Sequence, residues 1–259
     1  LDEYISNFKE GQKTIYYLSG DNVDKLLSSP QIEGFLNKGI DVLLFTDPVD
    51  NFWVNNYIRY KDYDIKSVTR SNIDLEQDVD KDKGANNESS KDIKQDEGQY
   101  SELIEYFKKV LGNSVKDVKI SRKLTSSITC LTVGNNGMDM YTERLLMEQR
   151  RSSFPVPKVL EINPKHPIIQ RINSDLFAED QHSIINNEEL VKLIFDEACI
   201  IEGQLPSNVV EFSRRINNIM EKVLSATGTD NKMPIVEAIE FNKSRSTSTK
   251  KKLTKSKNF

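Results

Sequence analysis

The most apolar periodic stretch of the chain is residues 186–224, which reads as two helices joined by a short break. In the first, Leu190, Leu193, Ile194, Ala198 and Ile201 recur at helical spacing, and Val191, Phe195 and Cys199 carry apolar surface onto an adjacent face. One neighbour does not cover both faces. Asn186 followed three residues later by Glu189 reads as a capping-box start, and Gly203 stands where a helix end needs positive φ. Pro206 and Ser207 restart the chain, and Phe212, Ile216, Ile219 and Val223 give the second helix its stripe, widened by Met220 and Leu224. A hairpin this apolar predicts a partner outside the chain, a second copy of itself packed as a four-helix interface.

Upstream, Leu1, Tyr4, Ile5 and Phe8 share one helical face, so a helix is predicted over 1–10. A chain that opens on Leu1 already inside such a pattern is expected to be a piece of something longer. Residues 14–18, TIYYL, are β-branched and aromatic and predict a strand. Ser29 and Pro30 open a helix that runs through Phe35 and Leu36 to Gly39. The apolar run 42–45 predicts a buried parallel strand. Asp47 as N-cap with Pro48 at N1 begins a helix carrying Phe52, Trp53, Tyr57 and Ile58, and 65–69 supply a short last strand. Together these predict a small α/β unit with a mainly parallel sheet over 1–76.

From 77 to 98 the chain turns to Asp, Glu, Lys, Asn, Ser and Gly, too poor in apolar residues to offset its ordering entropy, and reads as a flexible acidic linker. Leu103, Ile104, Phe107, Val110 and Leu111 then mark a helix that stops at Gly112. Candidate strands at 115–120, 128–133 and 159–162 predict a three-stranded sheet, read as antiparallel, in an α+β domain over 99–226 that ends in the helical hairpin. Between the last two strands Met138, Tyr141, Leu145 and Leu146 share a helical face, with glycines before and Pro155 and Pro157 after. A helix packed on the sheet and a helix presented to a partner both account for that pattern.

The 259 residues are 37% hydrophobic and 29% charged with net charge -4, a balance that by itself argues neither for nor against nucleic acid. Cys130 and Cys199 lack metal-like spacing and read as core thiols in a reducing compartment. No run reaches membrane-spanning length and no secretory pattern occurs, so the expected location is cytoplasmic, with no membrane partner. The turn Ser19-Gly20-Asp21-Asn22 has no phosphate-cradling glycine pattern, and His166 and His182 have no neighbours that argue for catalysis or a metal. No catalytic, cofactor or metal site is expected. Residues 227–259, ending in STSTKKKLTKSKNF, read as a disordered basic tail. A stand-alone module that recruits protein or nucleic acid is the alternative reading.

Phe8-Lys9-Glu10-Gly11-Gln12-Lys13 with Ile15-Tyr16-Tyr17, Ser28-Ser29-Pro30, Lys38-Gly39, Asp47-Pro48-Val49-Asp50, Ser67-Val68 and Glu143-Arg144 with Gln149 come in order. Leu160-Glu161-Ile162-Asn163-Pro164, His166-Pro167-Ile168 and Phe212-Ser213-Arg214-Arg215-Ile216-Asn217 follow. This collinear series resembles the ninety-kilodalton heat-shock chaperone family in its bacterial form. The resemblance implies that 1–76 is the small α/β part of a middle domain and 99–226 a C-terminal dimerisation domain. It implies a homodimer held by Leu190, Leu193, Ile194, Ile201, Phe212, Ile216, Ile219, Met220 and Val223. It implies a client-binding surface of Met138, Tyr141, Thr142, Leu145 and Leu146, with Phe52 and Asn55 as a second patch. The family's usual acid after its DP-I-D motif is Asn51 here, and Pro206-Ser207-Asn208 replaces its acid-Pro pair. For the parent protein it implies a protein-folding clamp driven by ATP and magnesium, both bound upstream of this chain, and cooperation with the seventy-kilodalton heat-shock chaperone system. Nucleic acid is not an expected partner.

Overall fold

A computed structural model describes residues 1–54, 59–71, 73, 75, 98–134, 138–149, 157–177 and 186–226. The predicted linker except Gly98, the predicted basic tail, Asn55, Tyr57, Ile58 and His182 lie outside them. Residues Leu1–Ile216 make one compact unit, and the chain from Asn217 on is a second.

The first sheet is organised on β1 (Thr14–Ser19), in which all six residues are buried. Successive side chains of a strand point to opposite faces. Tyr16 and Leu18 therefore meet Leu26, Ile32, Phe35, Ile40, Val68 and Leu75 on one side. Ile15 and Tyr17 meet Val54, Ile65, Tyr4, Ile5 and Phe8 on the other. β1 pairs in parallel with β2 (Leu43–Phe45) and with β4 (Tyr63–Ser67), and the two-residue β3 (Arg59–Tyr60) closes the order β2-β1-β4-β3 by an antiparallel edge. The mainly parallel sheet is as the apolar runs predict.

Helices α1 (Asp2–Ser6), α2 (Val23–Leu27), α3 (Glu33–Asn37) and α4 (Asp50–Val54) flank it. The sequence reading takes 19–22 as a turn only. Asn22 caps α2 there, its side-chain oxygen accepting from Asp24 N at 2.7 Å, and the helix buries Leu26. The helix predicted from Pro48 starts two residues later, because Asp47 uses its carboxylate on Val49 N (3.0 Å) and its carbonyl on Asp50 N (3.0 Å) in a preceding turn. Pro30–Ile32 form a 3-10 turn, capped by Ser29 Oγ, that leads straight into α3.

The second sheet has the order β5-β7-β6, with β5 Val115–Ile120, β6 Thr129–Thr132 and β7 Lys158–Ile162. It is mixed rather than antiparallel: β7 runs parallel to β5 and antiparallel to β6. Alternation of side chains carries no strand direction, and β7 inserts between two strands that are consecutive in sequence. All five residues of β7 and all four of β6 are buried. α5 (Ser101–Leu111) lays Leu103, Phe107 and Leu111 on this sheet. α7 (Pro167–Leu176) adds Ile169 and Ile172 and was not read from sequence; His166, its N-cap, accepts from Ile168 N through Nδ1 at 3.3 Å.

α8 (Asn187–Ile201) completes that core with Val191, Ile194, Ala198 and Cys199. Asn186 caps it as predicted, accepting from Glu188 N at 2.9 Å. Glu189 does not complete a capping box; its carboxylate accepts from Arg215 Nε at 3.1 Å. Gly203 has φ +76°, as the predicted helix stop requires. α9 (Val209–Ala226) starts on Asn208, whose side chain accepts from Glu211 N at 3.1 Å. Its first turns are tied to α8 by Arg215, which also donates Nη1 to the buried Asp196 carboxylate at 2.8 Å. Main-chain bonds join the two sheets: Val133 N donates to Thr69 O (2.9 Å) and Ser71 N to Val133 O (3.0 Å).

Candidate functional site

α6 (Met140–Glu148) is the helix that the sequence singles out, and its start is built by Asp139. That buried carboxylate caps Tyr141 N at 3.0 Å and accepts from Ser67 Oγ at 2.7 Å and Thr69 Oγ1 at 3.2 Å. The helix is therefore fastened to the end of β4. Its inner face buries Met140, Tyr141 and Glu143, and Glu143 forms an ion pair with the buried Lys158 of β7. Arg144 lies over the Tyr141 ring at 5.1 Å, pairs with Asp21 and donates Nη1 to Glu202 O at 3.3 Å.

Thr142, Leu145, Leu146 and Met147 remain half-exposed, and Met138, one residue before the cap, is 48% exposed. The predicted face is thus divided. Met138 precedes the helix and Tyr141 faces inward, while Leu145 and Leu146 stay reachable from solvent. Of the second predicted patch, Phe52 falls in α4 and Asn55 outside the described residues. Trp53 beside it is packed edge-on to Phe45 at 5.4 Å and donates Nε1 to Asp50 at 2.9 Å.

Behind α6, a cleft of about 370 Å³ runs between it, the β1–α2 turn and the end of α8, with Leu26, Tyr141, Arg144, Ile200 and Glu202 among its walls. Glu202, in its wall, ends a buried polar chain that no sequence motif marks. Lys123, 2% exposed, donates to Gln31 Oε1 at 2.7 Å and to Val68 O at 2.9 Å. Gln31 Nε2 in turn donates to Glu202 Oε1 at 2.7 Å and to Leu131 O. Burial pushes the Glu202 carboxyl up to about 7, against the pull of Gln31 and Lys123 in the other direction. The signal available in sequence was slight: Ser121-Arg122-Lys123-Leu124 looks like any solvated loop.

Both cysteines are free and buried. Burial raises Cys130 well above the usual thiol range and Cys199 to about 11, so neither is poised as a nucleophile. Among the described residues no group of three or more His, Cys, Asp or Glu is placed to hold a metal ion, and no helix is long and apolar enough to cross a membrane.

The hairpin residues divide by face. Ile194 is buried, and Leu190 and Leu193 are half-buried. Ile201 is 47% exposed beside Ile200 at 44%. On α9, Phe212, Ile216 and Ile219 are half-buried and Met220 and Val223 exposed.

The model of the Hsp90 protein family matches residues 1–254. The chain is 56% identical over 224 residues, 86% of its length, to "Chaperone protein HtpG" of Rickettsia bellii (strain RML369-C), and 55% identical over the same span to that of Rickettsia prowazekii (strain Madrid E). It covers 35% of the length of each of these relatives. With the family's pattern running through both sheets and the hairpin, the chain belongs to the Hsp90 family.

Proposed function

We propose that this chain is the dimerising, client-binding part of a cytoplasmic protein-folding chaperone, a homodimer whose ATP-binding and magnesium-binding part belongs to the remaining length seen in its relatives. By itself the chain does not turn over ATP. Residues 1–76 serve as the small middle-domain unit, 77–98 as a linker and 99–226 as the dimerisation domain.

The observation that carries the dimer is the apolar surface left at the hairpin: Ile200, Ile201, Leu205, Val209 and Val210 are all exposed, Leu205 at 84%. Contiguous apolar surface of this kind marks an interaction site. A second copy fits it, because two such hairpins form a self-complementary four-helix contact. Sedimentation tests this. The wild-type chain should be a dimer at tens of micromolar, and Ile216→Asp with Ile219→Asp should be a monomer. A monomeric wild type would sink the proposal.

Client binding is assigned to the outer face of α6, with Leu145, Leu146, Thr142 and Met138, and Tyr141 supporting it from within; Phe52 and Asn55 form the second patch. Dispersed aliphatic and Met side chains suit loose contact with many partly folded segments. Leu145→Ser with Leu146→Ser should weaken binding of an unfolded model protein by roughly tenfold, the equivalent of about 1.4 kcal/mol. Unchanged affinity, measured by fluorescence anisotropy, would remove α6 from the client site. Cooperation with a seventy-kilodalton chaperone system follows from the same reading.

A further inference from the structure

The carboxylate of Glu33, at the start of α3, is surrounded by residues 125–127 of the loop that joins β5 to β6. Its Oε2 accepts from the backbone N–H groups of Thr125 (2.9 Å), Ser126 (3.0 Å) and Ser127 (3.2 Å) and from Thr125 Oγ1 (3.3 Å). Its Oε1 accepts from Ser126 Oγ (3.0 Å) and from Ser127 Oγ. Three successive N–H groups converging on one oxygen make an anion-binding nest, and three hydroxyls extend it. Burial works against the charged carboxylate, yet the Ser127 hydroxyl and the three N–H groups hold it down to about 2.

The loop does not owe its shape to Glu33 alone. From the far side the buried Asn163 donates Nδ2 to Ser127 O at 3.0 Å and its backbone N to Ile128 O at 2.9 Å. Thr125 and Ser126 are exposed, so the nest opens to solvent.

We infer that residues 125–127 are an oxyanion receptor whose resident ligand is the Glu33 carboxylate, and that a tetrahedral oxyanion takes its place when that carboxylate is withdrawn. Six donors around two oxygens are more than a carboxylate needs and suit the three or four oxygens of a phosphate. In the folded chain Glu33 is delivered by α3 at high effective concentration and keeps free anions out. The receptor thereby works as a clasp: its occupant helps to fix the segment Pro30–Asn37 against the second sheet beside the Gln31 bonds, and an anion that displaced Glu33 would remove that one tie. This inference does not depend on the chaperone reading.

The test is titration of the full chain with inorganic phosphate at pH 7, followed by the amide resonances of Thr125, Ser126 and Ser127, with sodium chloride at equal ionic strength as the reference. In Glu33→Ala these three amides should shift and saturate with phosphate, whereas in wild type they should show no saturable change. Should Glu33→Ala fail to fold, Glu33→Gln decides by the same measurement, since its neutral amide leaves the nest without an anion. A response equal to chloride's, or one spread evenly over the surface, would mean that the loop is only a structural contact and overturn the inference.

Discussion

Replacing Gly34 by alanine should destabilise the chain, even though Gly→Ala within a helix usually gains up to about 1 kcal/mol. A Cβ at this position would lie 2.5 Å from Lys123 O, 2.8 Å from Lys123 Cα and 2.9 Å from Leu75 Cδ1. Two of the three obstacles are main chain, so neither a rotamer change nor a flexible tip can make room. α3 and the 121–127 loop must separate, and the Glu33 nest and the Lys123 bonds are strained with them. Overpacking of this kind costs typically 1–3 kcal/mol and occasionally more, so about 3 kcal/mol is expected. For a folded part of this size that lowers the thermal midpoint by roughly 6–12 °C. Gly98 provides the control, because nothing lies within 4 Å of its would-be Cβ. Gly98→Ala should be neutral or stabilising, and a Gly34→Ala midpoint matching it would show that the close approach is not there in solution.

Lys123→Met is the second large effect. The methionine keeps the aliphatic stem but removes the ammonium, leaving Gln31 Oε1 and Val68 O without their donor. Glu161, 5% exposed and 4.0 Å from the ammonium, loses that cation and keeps Ser121 Oγ at 3.0 Å and the Cys130 thiol at 4.0 Å, both neutral donors. Breaking one side of a buried charged arrangement costs about 3–5 kcal/mol, most of it the penalty on the groups left behind. Urea unfolding of Lys123→Met should show that loss, and Lys123→Met with Glu161→Gln should recover part of it. A double variant no better than the single one would mean that Gln31 and Val68, not Glu161, carry the effect.

Pattern alone places β1, α5 and α8, which are apolar with a single period and bounded by Gly, Asn or Ser, and it places β2 as a parallel strand, although Leu43–Phe45 is half-buried at the sheet edge rather than buried as expected. α2, directly after β1, is not legible, because five residues hold too little of a helical period. α7 escaped because its signal is a cap followed by Pro, and His166-Pro167 looks the same at a loop. The mixed order of the second sheet could not be read either, as nothing in a six-residue alternation says which strand will lie beside it. The candidate site was half legible. Periodicity found Leu145 and Leu146 but joined to them Met138, which lies before the Asp139 cap, and Tyr141, which turns inward. The polar chain Lys123, Gln31, Glu202 and the Glu33 nest were invisible, because their partners are about ninety or more positions away in sequence and a buried lysine or glutamate is spelled like an exposed one.

The seam at Val133 also fixes an order of assembly on the ribosome. Every strand of the first sheet is complete by Ser67, and the β5-β7-β6 sheet draws only on residues 115–162. Each can pair its strands from its own stretch of chain, the N-terminal one first. The bonds between Thr69, Ser71 and Val133 need both, so a nascent chain carries a finished first sheet whose Thr69 O and Ser71 N await Val133 until residue 133 has emerged. Until those bonds form, that edge is open to pairing with another strand, as any uncovered strand edge is.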